Sequence, residues 1–288
     1  MKTIQCCLKK LSTTLNNSIH PYFIWTKMKF EVYPATAFKD VLEVLNTVNE
    51  EPMIELNPQG LHSLMMDPSH EFMCELNLPR QFFDRWEIED NEKIQVNLPA
   101  ILKALKKVTK KEILRFNYTY KLGPKLDGSP QEKENEMVEL SLVSDYTRRK
   151  TVECLDLLEE EIPTPRIYFK NKARLTLDIL KRTLEDFNTN SNHITIESVT
   201  DAIQFKNDGD EYRDFVELDK DNDHILELYN DENGKAVYDI ENILPFVKKA
   251  LKLSEVVTLQ FSQDMPLKID VEIPMGSLVY HVAPCIGI

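Results

Sequence analysis

The stretch Val96–Phe116, VNLPAILKALKKVTKKEILRF, sets the pattern on which the rest of the chain is built. Its apolar residues recur at the spacing of a helix that buries one face, and they are Ile101, Leu102, Leu105 and Val108. Lysines cover most of the remaining surface of this predicted helix, at Lys103, Lys106, Lys107, Lys110 and Lys111. The whole chain carries a net charge of −13, so five lysines in one stretch stand out from the rest of the sequence. They indicate a local basic face.

The same pattern returns in Val237–Phe261, VYDIENILPFVKKALKLSEVVTLQF. An apolar pair followed by a lysine pair has the same spacing in both copies, as Ile101-Leu102 with Lys106-Lys107 and as Ile243-Leu244 with Lys248-Lys249. A short β-branched run precedes and follows each copy. A repeat that keeps both the apolar seam and the lysines predicts a duplicated structural unit in which the lysines have a role.

Composition limits the class of protein. The 288 residues suffice for two domains, and 42% hydrophobic with 29% charged residues is typical of a globular protein. No apolar run approaches the roughly 18 residues of a membrane span, so no membrane partner is expected. The five cysteines contain no CxxC pair, which favours a reducing, intracellular setting. The acidic total argues against a surface that is basic throughout, but it leaves room for a basic face.

Order along the chain predicts an extension followed by two similar halves. Residues 1–27 carry lysine but no acid and show no periodicity, so we expect either a flexible extension or a start assigned too early. Residues 28–156 form the predicted N-terminal domain. Residues 157–165, LLEEEIPTP, are the predicted interdomain connector, because proline is poorly suited to regular structure. Residues 166–288 form the predicted C-terminal domain.

Each half contains two predicted helices and many short strands joined mostly by hairpins. In the first helix of each half the apolar seams match, as Phe38, Val41, Leu45 with Leu177, Leu180, Leu184. This order predicts an α+β fold of two antiparallel-sheet domains with two helices each, the helices lying on one side of a continuous sheet layer. Two further details are an exposed hairpin loop at Lys121–Glu136 and a strand at Arg166–Lys170 that opens the second half.

Three motifs in order carry a resemblance to a known family. The chain ends in MPLKIDVEIPMGSLVYHVAPCI at Met265–Ile286, Leu64–His70 reads LMMDPSH, and an acidic connector ends in Ile-Pro at Glu160–Pro163. From Met28 to Ile286 the chain resembles the DNA polymerase sliding clamps of the proliferating cell nuclear antigen (PCNA) family, and it is most similar in style to archaeal members. The resemblance implies the DNA clamp fold, in which three two-domain subunits close a ring and the helices line the hole for duplex DNA.

The resemblance also implies which basic residues face DNA. The family's basic pore positions match Lys39, Lys103, Lys106 and Lys249, and helix geometry adds Lys107, Lys110, Lys181, Arg182, Lys248 and Lys252. Lysine is a flexible, hydrated point charge that suits contacts with phosphate that do not depend on base sequence. Asp40 and Asn46 stand where relatives often have lysine, which leaves the contribution of the first helix open.

A second site implied by the resemblance is an apolar pocket beneath the connector that binds short peptides of partner enzymes. The partners expected from the family are DNA polymerase, the clamp loader, flap endonuclease and DNA ligase, and a glutamine-led peptide with an aromatic pair is the predicted ligand. Glu71 and His281 depart from the family pattern and should alter preference. The matching positions are Met66, His70, Met73, Ile162, Pro163, Pro266, His281, Ala283, Pro284 and Ile286.

The sequence contains no pattern typical of an enzyme site. GxGxxG, GxxxxGK[ST], GxSxG and HExxH are all absent. Asp219, Asp221 and Asp223 imitate the start of a calcium loop, but His224 and Asn230 occupy positions that need glycine and glutamate. We therefore expect no catalysis, no cofactor and no metal. A DNA enzyme that uses the lysines for grip is disfavoured, because no cluster of metal-binding carboxylates accompanies them.

Assembly and cellular setting follow from the same resemblance. We expect a ring formed by edge-strand pairing of Met137–Val143 with Tyr212–Leu218 of the next subunit. The subunits are either identical or paralogous, and the sequence does not choose between these. The alternative function is that of a specialised paralogue, mainly a protein-interaction scaffold within a mixed ring. The expected location is cytoplasmic and nucleoid-associated if the source is archaeal, and nuclear if it is eukaryotic.

Overall fold

The structure is a computed structural model that describes residues 24–122, 133–158, 162–163, 166–209 and 212–287. Several predictions concern residues outside these ranges. They are the extension up to residue 23, the middle of the predicted hairpin loop, and the acidic run Glu159–Glu161 of the connector.

Four helices form where the apolar periodicity predicts them. They are α1 (Ala35–Leu45), α2 (Leu98–Ala104), α3 (Leu177–Phe187) and α4 (Ile240–Ala250). Side-chain caps fix two of the starts, because Asn97 accepts a hydrogen bond from the Ala100 amide and Asp239 accepts one from the Glu241 amide, each 2.8 Å long. Neighbouring helices contact one another in the order α2–α1–α4–α3, which makes one row across both halves.

The strands of the first half are β1 (Ile24–Val32), β2 (Met53–Asn57), β3 (Gly60–Met66), β4 (Phe72–Pro79), β5 (Arg85–Glu87), β6 (Glu92–Gln95), β7 (Ile113–Leu122), β8 (Lys133–Val143) and β9 (Thr147–Glu153). Those of the second half are β10 (Asn171–Thr176), β11 (His193–Val199), β12 (Ala202–Asp208), β13 (Arg213–Asp219), β14 (Ile225–Asn230), β15 (Lys235–Asp239), β16 (Val256–Phe261), β17 (Leu267–Val271) and β18 (Ser277–Val282). The first strand thus begins four residues before residue 28, where the N-terminal domain was predicted to begin.

Three antiparallel sheets contain these strands. Their orders are β5-β1-β7-β8-β9, then β14-β10-β16-β17-β18-β4-β3-β2-β6, and β13-β12-β11-β15. The nine-stranded sheet crosses from one half to the other where β18 pairs with β4, with Tyr280 opposite Cys74. The Tyr280 ring also stacks on Phe246 of α4 at a centroid distance of 4.1 Å. The predicted α+β class is confirmed, and one of the three sheets is continuous between the two halves.

The predicted lysine helix is shorter than the sequence indicates. Helix α2 ends at Ala104, so Lys106, Lys107, Lys110 and Lys111 lie in the turn and loop that follow it. Two groups compete with further helical bonds. The Lys150 ammonium of β9 donates to the Ala104 carbonyl at 2.8 Å, and the Glu112 carboxylate accepts from the Thr109 amide at 2.7 Å.

Two predictions about strands are wrong, namely a strand at Arg166–Lys170 and a free edge at Met137–Val143. Residues Arg166–Lys170 form no strand, because the strands that flank β10 both end opposite Asn171, at Asn230 and Phe261. Residues Met137–Val143 lie in β8, which is paired on both sides by β7 and β9 and cannot accept a further strand. Among the described strands, the outermost ones of the three sheets are β5, β6 and β9 in the first half and β13, β14 and β15 in the second half. Of these, β13 was part of the prediction.

Candidate functional site

The lysines that follow α2 form the first part of the candidate site. The side chains of Lys103, Lys106, Lys107, Lys110 and Lys111 are all exposed. In the part of the chain that the structure describes, none of them forms an ion pair. We call these five residues the unpaired lysine group.

Side chains of strand β9 contact the segment that carries these lysines. The Arg148 guanidinium forms an ion pair with Glu112, whose side chain is only 6% exposed. Burial alone would raise the pKa of Glu112. The hydrogen bonds from Arg148 and Thr109 outweigh burial, so the pKa of Glu112 lies below its ordinary value. The turn is therefore anchored through its backbone and through Glu112, which leaves its lysines directed to solvent.

The lysines of α4, Lys248 and Lys249, and Lys252 in the turn that follows α4 differ, because each of them contacts an acid on a neighbouring helix. Lys249 Nζ lies 3.3 Å from Glu43 of α1, and Lys252 Nζ lies 2.5 Å from the same carboxylate. On the opposite side, Lys248 Nζ lies 3.0 Å from Glu185 of α3. The α4 lysines are thus neutralised from both sides of the helix.

Glu43 is the centre of this network. In addition to its contacts with α4, its carboxylate lies 3.1 Å from Lys39 Nζ, one turn earlier in α1. Partial burial would raise the pKa of Glu43, but hydrogen bonds from Lys252 and Lys39 and the charge of Lys249 outweigh burial and hold it at about 2. Asp40, 3.7 Å from Lys252, has its pKa raised by burial against the opposing effect of that lysine.

The basic residues of α3 are paired as well. Lys181 lies 3.5 Å from Glu185 and Arg182 lies 2.9 Å from Asp178, each at the i,i+4 spacing of helix neighbours. The predicted DNA-facing residues therefore divide into two classes. The unpaired ones are Lys103, Lys106, Lys107 and Lys110, and the paired ones are Lys39, Lys181, Arg182, Lys248, Lys249 and Lys252.

Sequence reasoning missed the acids that pair with these lysines. The pairs within one helix, such as Lys39 with Glu43, were visible as i,i+4 spacings. The pairs between helices were not, because Glu43 and Lys252 are 209 residues apart in the chain. Only the helix row brings them together.

An apolar groove at the junction of β4 and β18 is the second part of the candidate site. Its volume is about 270 Å³. The predicted residues that line it are Met66, His70, Met73, Pro163, Pro266, His281 and Ala283. Sequence reasoning missed the apolar contributions of Phe72, Ile167 and Val282.

Three predicted groove residues do not line it. Ile162 lies instead in an adjacent groove of about 220 Å³, which shares Met66 with the first. Pro284 and Ile286 follow the end of β18 and line neither groove, and the Ile286 side chain is 82% exposed. A position in the family motif did not by itself predict contact with the cavity.

The loop motif before β4 is built around Asp67. This buried carboxylate accepts hydrogen bonds from the Phe72 amide at 2.7 Å and from the Ser69 amide at 2.8 Å. These bonds and that from the Ser69 hydroxyl outweigh burial and lower the pKa of Asp67. The loop positions His70, in left-handed backbone conformation at φ 61°, at the rim of the groove.

His281 forms part of the groove wall as a neutral side chain. Burial, with a contribution from the charge of Lys268, lowers the pKa of His281 to about 4. Its buried Nδ1 has no hydrogen-bond partner in the described part of the protein. The imidazole therefore adds a polar atom, but no charge, to a mostly apolar surface at neutral pH.

Two other classes of feature are absent from the described residues. No group of three or more His, Cys, Asp or Glu side chains there is arranged to hold a metal ion. Among the helices of the described ranges, none is long and apolar enough to cross a membrane.

The fold and the two surfaces define a two-domain clamp architecture, and comparison with known proteins agrees. Residues 28–119 match the family model for the PCNA N-terminal domain, and residues 169–285 match that for the PCNA C-terminal domain. The chain belongs to the proliferating cell nuclear antigen family.

Similar proteins cover almost the whole chain. The DNA polymerase sliding clamp of Pyrococcus abyssi is 25% identical over 260 residues, which are 89% of this chain and 98% of that protein. The PCNA2–PCNA3 complex of Sulfolobus tokodaii is similar in structure, with a TM-score of 0.77, 23% identity and coverage of 89% and 99%. The A. fulgidus PCNA bound to the C-terminal region of FEN-1 has a TM-score of 0.75, 16% identity and coverage of 91% and 99%.

Proposed function

We propose that this protein is a DNA polymerase sliding clamp: a ring around duplex DNA that acts as a processivity factor and docks replication and repair enzymes. The observation that carries the proposal is the single row of four helices across both halves, with exposed lysines on it and in the turn that follows α2. The domain boundaries 28–156, 157–165 and 166–288 are part of it, with β1 extended back to Ile24. The role is binding rather than catalysis, at an intracellular, DNA-associated location.

The unpaired lysine group favours a clamp that touches DNA over a pure scaffold. Lysine ammonium groups bind phosphate without reading sequence, and the strength of such contacts falls steeply with salt. Primer extension on circular DNA with a clamp loader tests the function. Longer products in the presence of the protein are expected. Failure to stimulate synthesis, alone and together with paralogous subunits, would rule out the clamp and leave the scaffold.

Ring closure between copies fits the edges of β9 and β13. Strand β9 carries three basic residues, Arg148, Arg149 and Lys150, and one acid, Glu153. Strand β13 carries three acids, Asp214, Glu217 and Asp219, and one basic residue, Arg213. Opposite charges steer two unpaired edges into one antiparallel sheet. Phe215 on β13 is 56% exposed and adds apolar surface to that edge.

Light scattering coupled to size-exclusion chromatography tests the assembly. A trimer of the lone protein would show that identical subunits close the ring. A monomer that assembles only with paralogues would place it in a mixed ring, and the PCNA2–PCNA3 complex of Sulfolobus tokodaii is a precedent for association between different PCNA chains. A monomer that associates with neither would contradict ring closure.

The apolar groove is the proposed docking site for partner peptides, including those of polymerase, clamp loader, flap endonuclease and ligase. Its mostly apolar lining, which includes Met66 and Met73, suits several related apolar anchors. A labelled peptide with an N-terminal glutamine and an adjacent aromatic pair is the probe. Ile167→Glu should weaken its binding by about tenfold or more, because a carboxylate would have to be buried without a partner.

A matched control introduces the same charge outside the groove. Leu226 of β14 is 48% exposed and does not line the groove, so Leu226→Glu should leave peptide binding unchanged. Equal affinities for wild type and Ile167→Glu would exclude this groove as the docking site.

A further inference from the structure

We propose that Glu43 competes with DNA phosphate for three lysines, Lys39 of α1, Lys249 of α4 and Lys252 just after α4, and thereby sets how loosely the ring holds duplex DNA. This inference rests on the proposed clamp function. It concerns Glu43, an acidic residue that is not among the basic pore positions implied by the family resemblance.

The geometry places one carboxylate among three ammonium groups. Glu43 contacts Lys39 at 3.1 Å, Lys249 at 3.3 Å and Lys252 at 2.5 Å. Its side chain is 15% exposed, whereas those of Lys249 and Lys252 are each 43% exposed. The acid is thus less exposed than the lysines that contact it, of which Lys249 and Lys252 are the more accessible and Lys39, at 22%, the less accessible.

Such pairing changes what a phosphate gains from contact. An unpaired lysine that binds phosphate adds a full charge contact and releases a counterion from the DNA. A lysine held by Glu43 must exchange one anion for another, and the carboxylate left behind then needs a cation of its own. The net gain from Lys39, Lys249 and Lys252 is therefore smaller than that from the unpaired lysine group.

The competition persists at physiological pH. Lysine contacts hold the pKa of Glu43 at about 2 against the effect of partial burial. The carboxylate is therefore ionised whenever the protein is folded near neutrality. Weak, exchangeable contacts on one part of the helix row, beside strong ones at its end, suit a ring that must move along DNA.

Glu43→Gln tests the inference, because it removes the charge and keeps the shape. Binding of a short DNA duplex should become about three- to tenfold tighter at low salt, and the slope of log affinity against log salt should steepen by about one to two units. Lys252 can still contact Asp40, so most of the gain is expected from Lys39 and Lys249. Sliding of loaded rings along DNA should become slower.

Glu241→Gln is the matched control. Glu241 lies in the first turn of α4, is exposed, and forms no ion pair in the described part of the chain, yet its replacement changes net charge equally. Adding Lys39→Ala and Lys249→Ala to Glu43→Gln should return affinity to about the wild-type value.

The outcomes separate the two proposals. If Glu43→Gln binds DNA no more tightly than Glu241→Gln while the wild type binds DNA measurably, the competition is excluded and the clamp function stands. If the wild type fails to bind DNA at any salt concentration and fails to stimulate synthesis, both alone and together with paralogous subunits, the clamp function itself is excluded. Circular dichroism of each variant confirms that it is folded.

Discussion

The two lysine segments of the repeat share a sequence pattern but have different surroundings. After α2, Lys106 and Lys107 extend into solvent without acidic partners in the described structure. At the matching positions of α4, Lys248 and Lys249 contact Glu185 and Glu43. One pattern therefore produces a strongly basic turn in the first half and a largely neutralised helix surface in the second.

Position in the helix row explains the difference. Within one subunit, and among the helices of the described residues, α2 lies at the end of the row beside α1, whereas α4 lies between α1 and α3. Each neighbour of α4 brings an acid within reach of its lysines. A duplicated sequence thus acquires two electrostatic roles because the copies have different neighbours, and this lesson applies to any repeat that packs in an open row.

The largest expected effect comes from removing unpaired lysines. Lys103→Ala, Lys106→Ala and Lys107→Ala combined should reduce affinity for a DNA duplex by roughly ten- to hundredfold at low salt. The matched triple change Lys248→Ala, Lys249→Ala and Lys252→Ala should reduce it by less than about threefold. Fluorescence anisotropy over a salt series measures both. Equal losses would remove the distinction between the segments.

A smaller effect on DNA affinity is expected when the ion pair between Arg148 and Glu112, which anchors the turn of the unpaired lysine group, is removed. Arg148→Ala leaves the nearly buried Glu112 without its ion-pair partner, so the midpoint of thermal unfolding should fall. DNA affinity should fall about two- to fivefold, because the turn is no longer fixed. Arg149→Ala, on the same strand, is the control, and a change of equal size there would show that β9 charge alone matters.

A still smaller change should follow from Glu185→Gln. This substitution frees Lys181 and Lys248, but it removes an acid that contacts two lysines rather than three. We expect a gain in DNA affinity of about twofold, below that of Glu43→Gln. The same anisotropy series ranks the two variants, and a larger gain from Glu185→Gln would reverse the order of the two acids.

The last prediction concerns how the difference in stability between wild type and Glu43→Gln depends on pH. A lowered pKa means that the stabilisation from Glu43 is fully present above its ordinary pKa of 4.5 and is lost as pH falls toward about 2. The gap in urea stability between wild type and Glu43→Gln should be unchanged from pH 6 to pH 8. It should narrow when the measurement is repeated at about pH 3. If the stability difference between wild type and Glu43→Gln disappeared already near pH 6, stabilisation of the ionised Glu43 by the surrounding lysines would be contradicted.

Local patterns predicted the architecture well, because helix seams and strand alternation are properties of neighbouring residues. The end of α2 was beyond them, since the groups that replace its hydrogen bonds include Lys150 of a later strand. The ring edge was misassigned to Met137–Val143 for a related reason. Edge and central strands of similar composition differ only in what lies beside them, and here β9 covers β8.

The candidate site was predictable to the extent that motifs encode it. The motifs located most of the groove, yet Ile167 was missed because its segment was assigned to a strand. Lys249 was identified as basic, but its contact with Glu43, 206 residues away, depends on how two domains pack. Residue type and position could be inferred from sequence, whereas the electrostatic state of each lysine required the fold.

The two halves are joined not only by the connector at residues 157–165 but also by the pairing of β18 with β4. Six residue pairs from Ser277–Asn77 to Val282–Phe72 connect them through the main chain, and the Asn242 amide contacts the Glu71 carboxylate at 3.0 Å beside this seam. A backbone cut within residues 157–165 should therefore leave a nicked protein that migrates as a single species. Two separately expressed halves should likewise reassemble, which would offer a route to labelling one half alone.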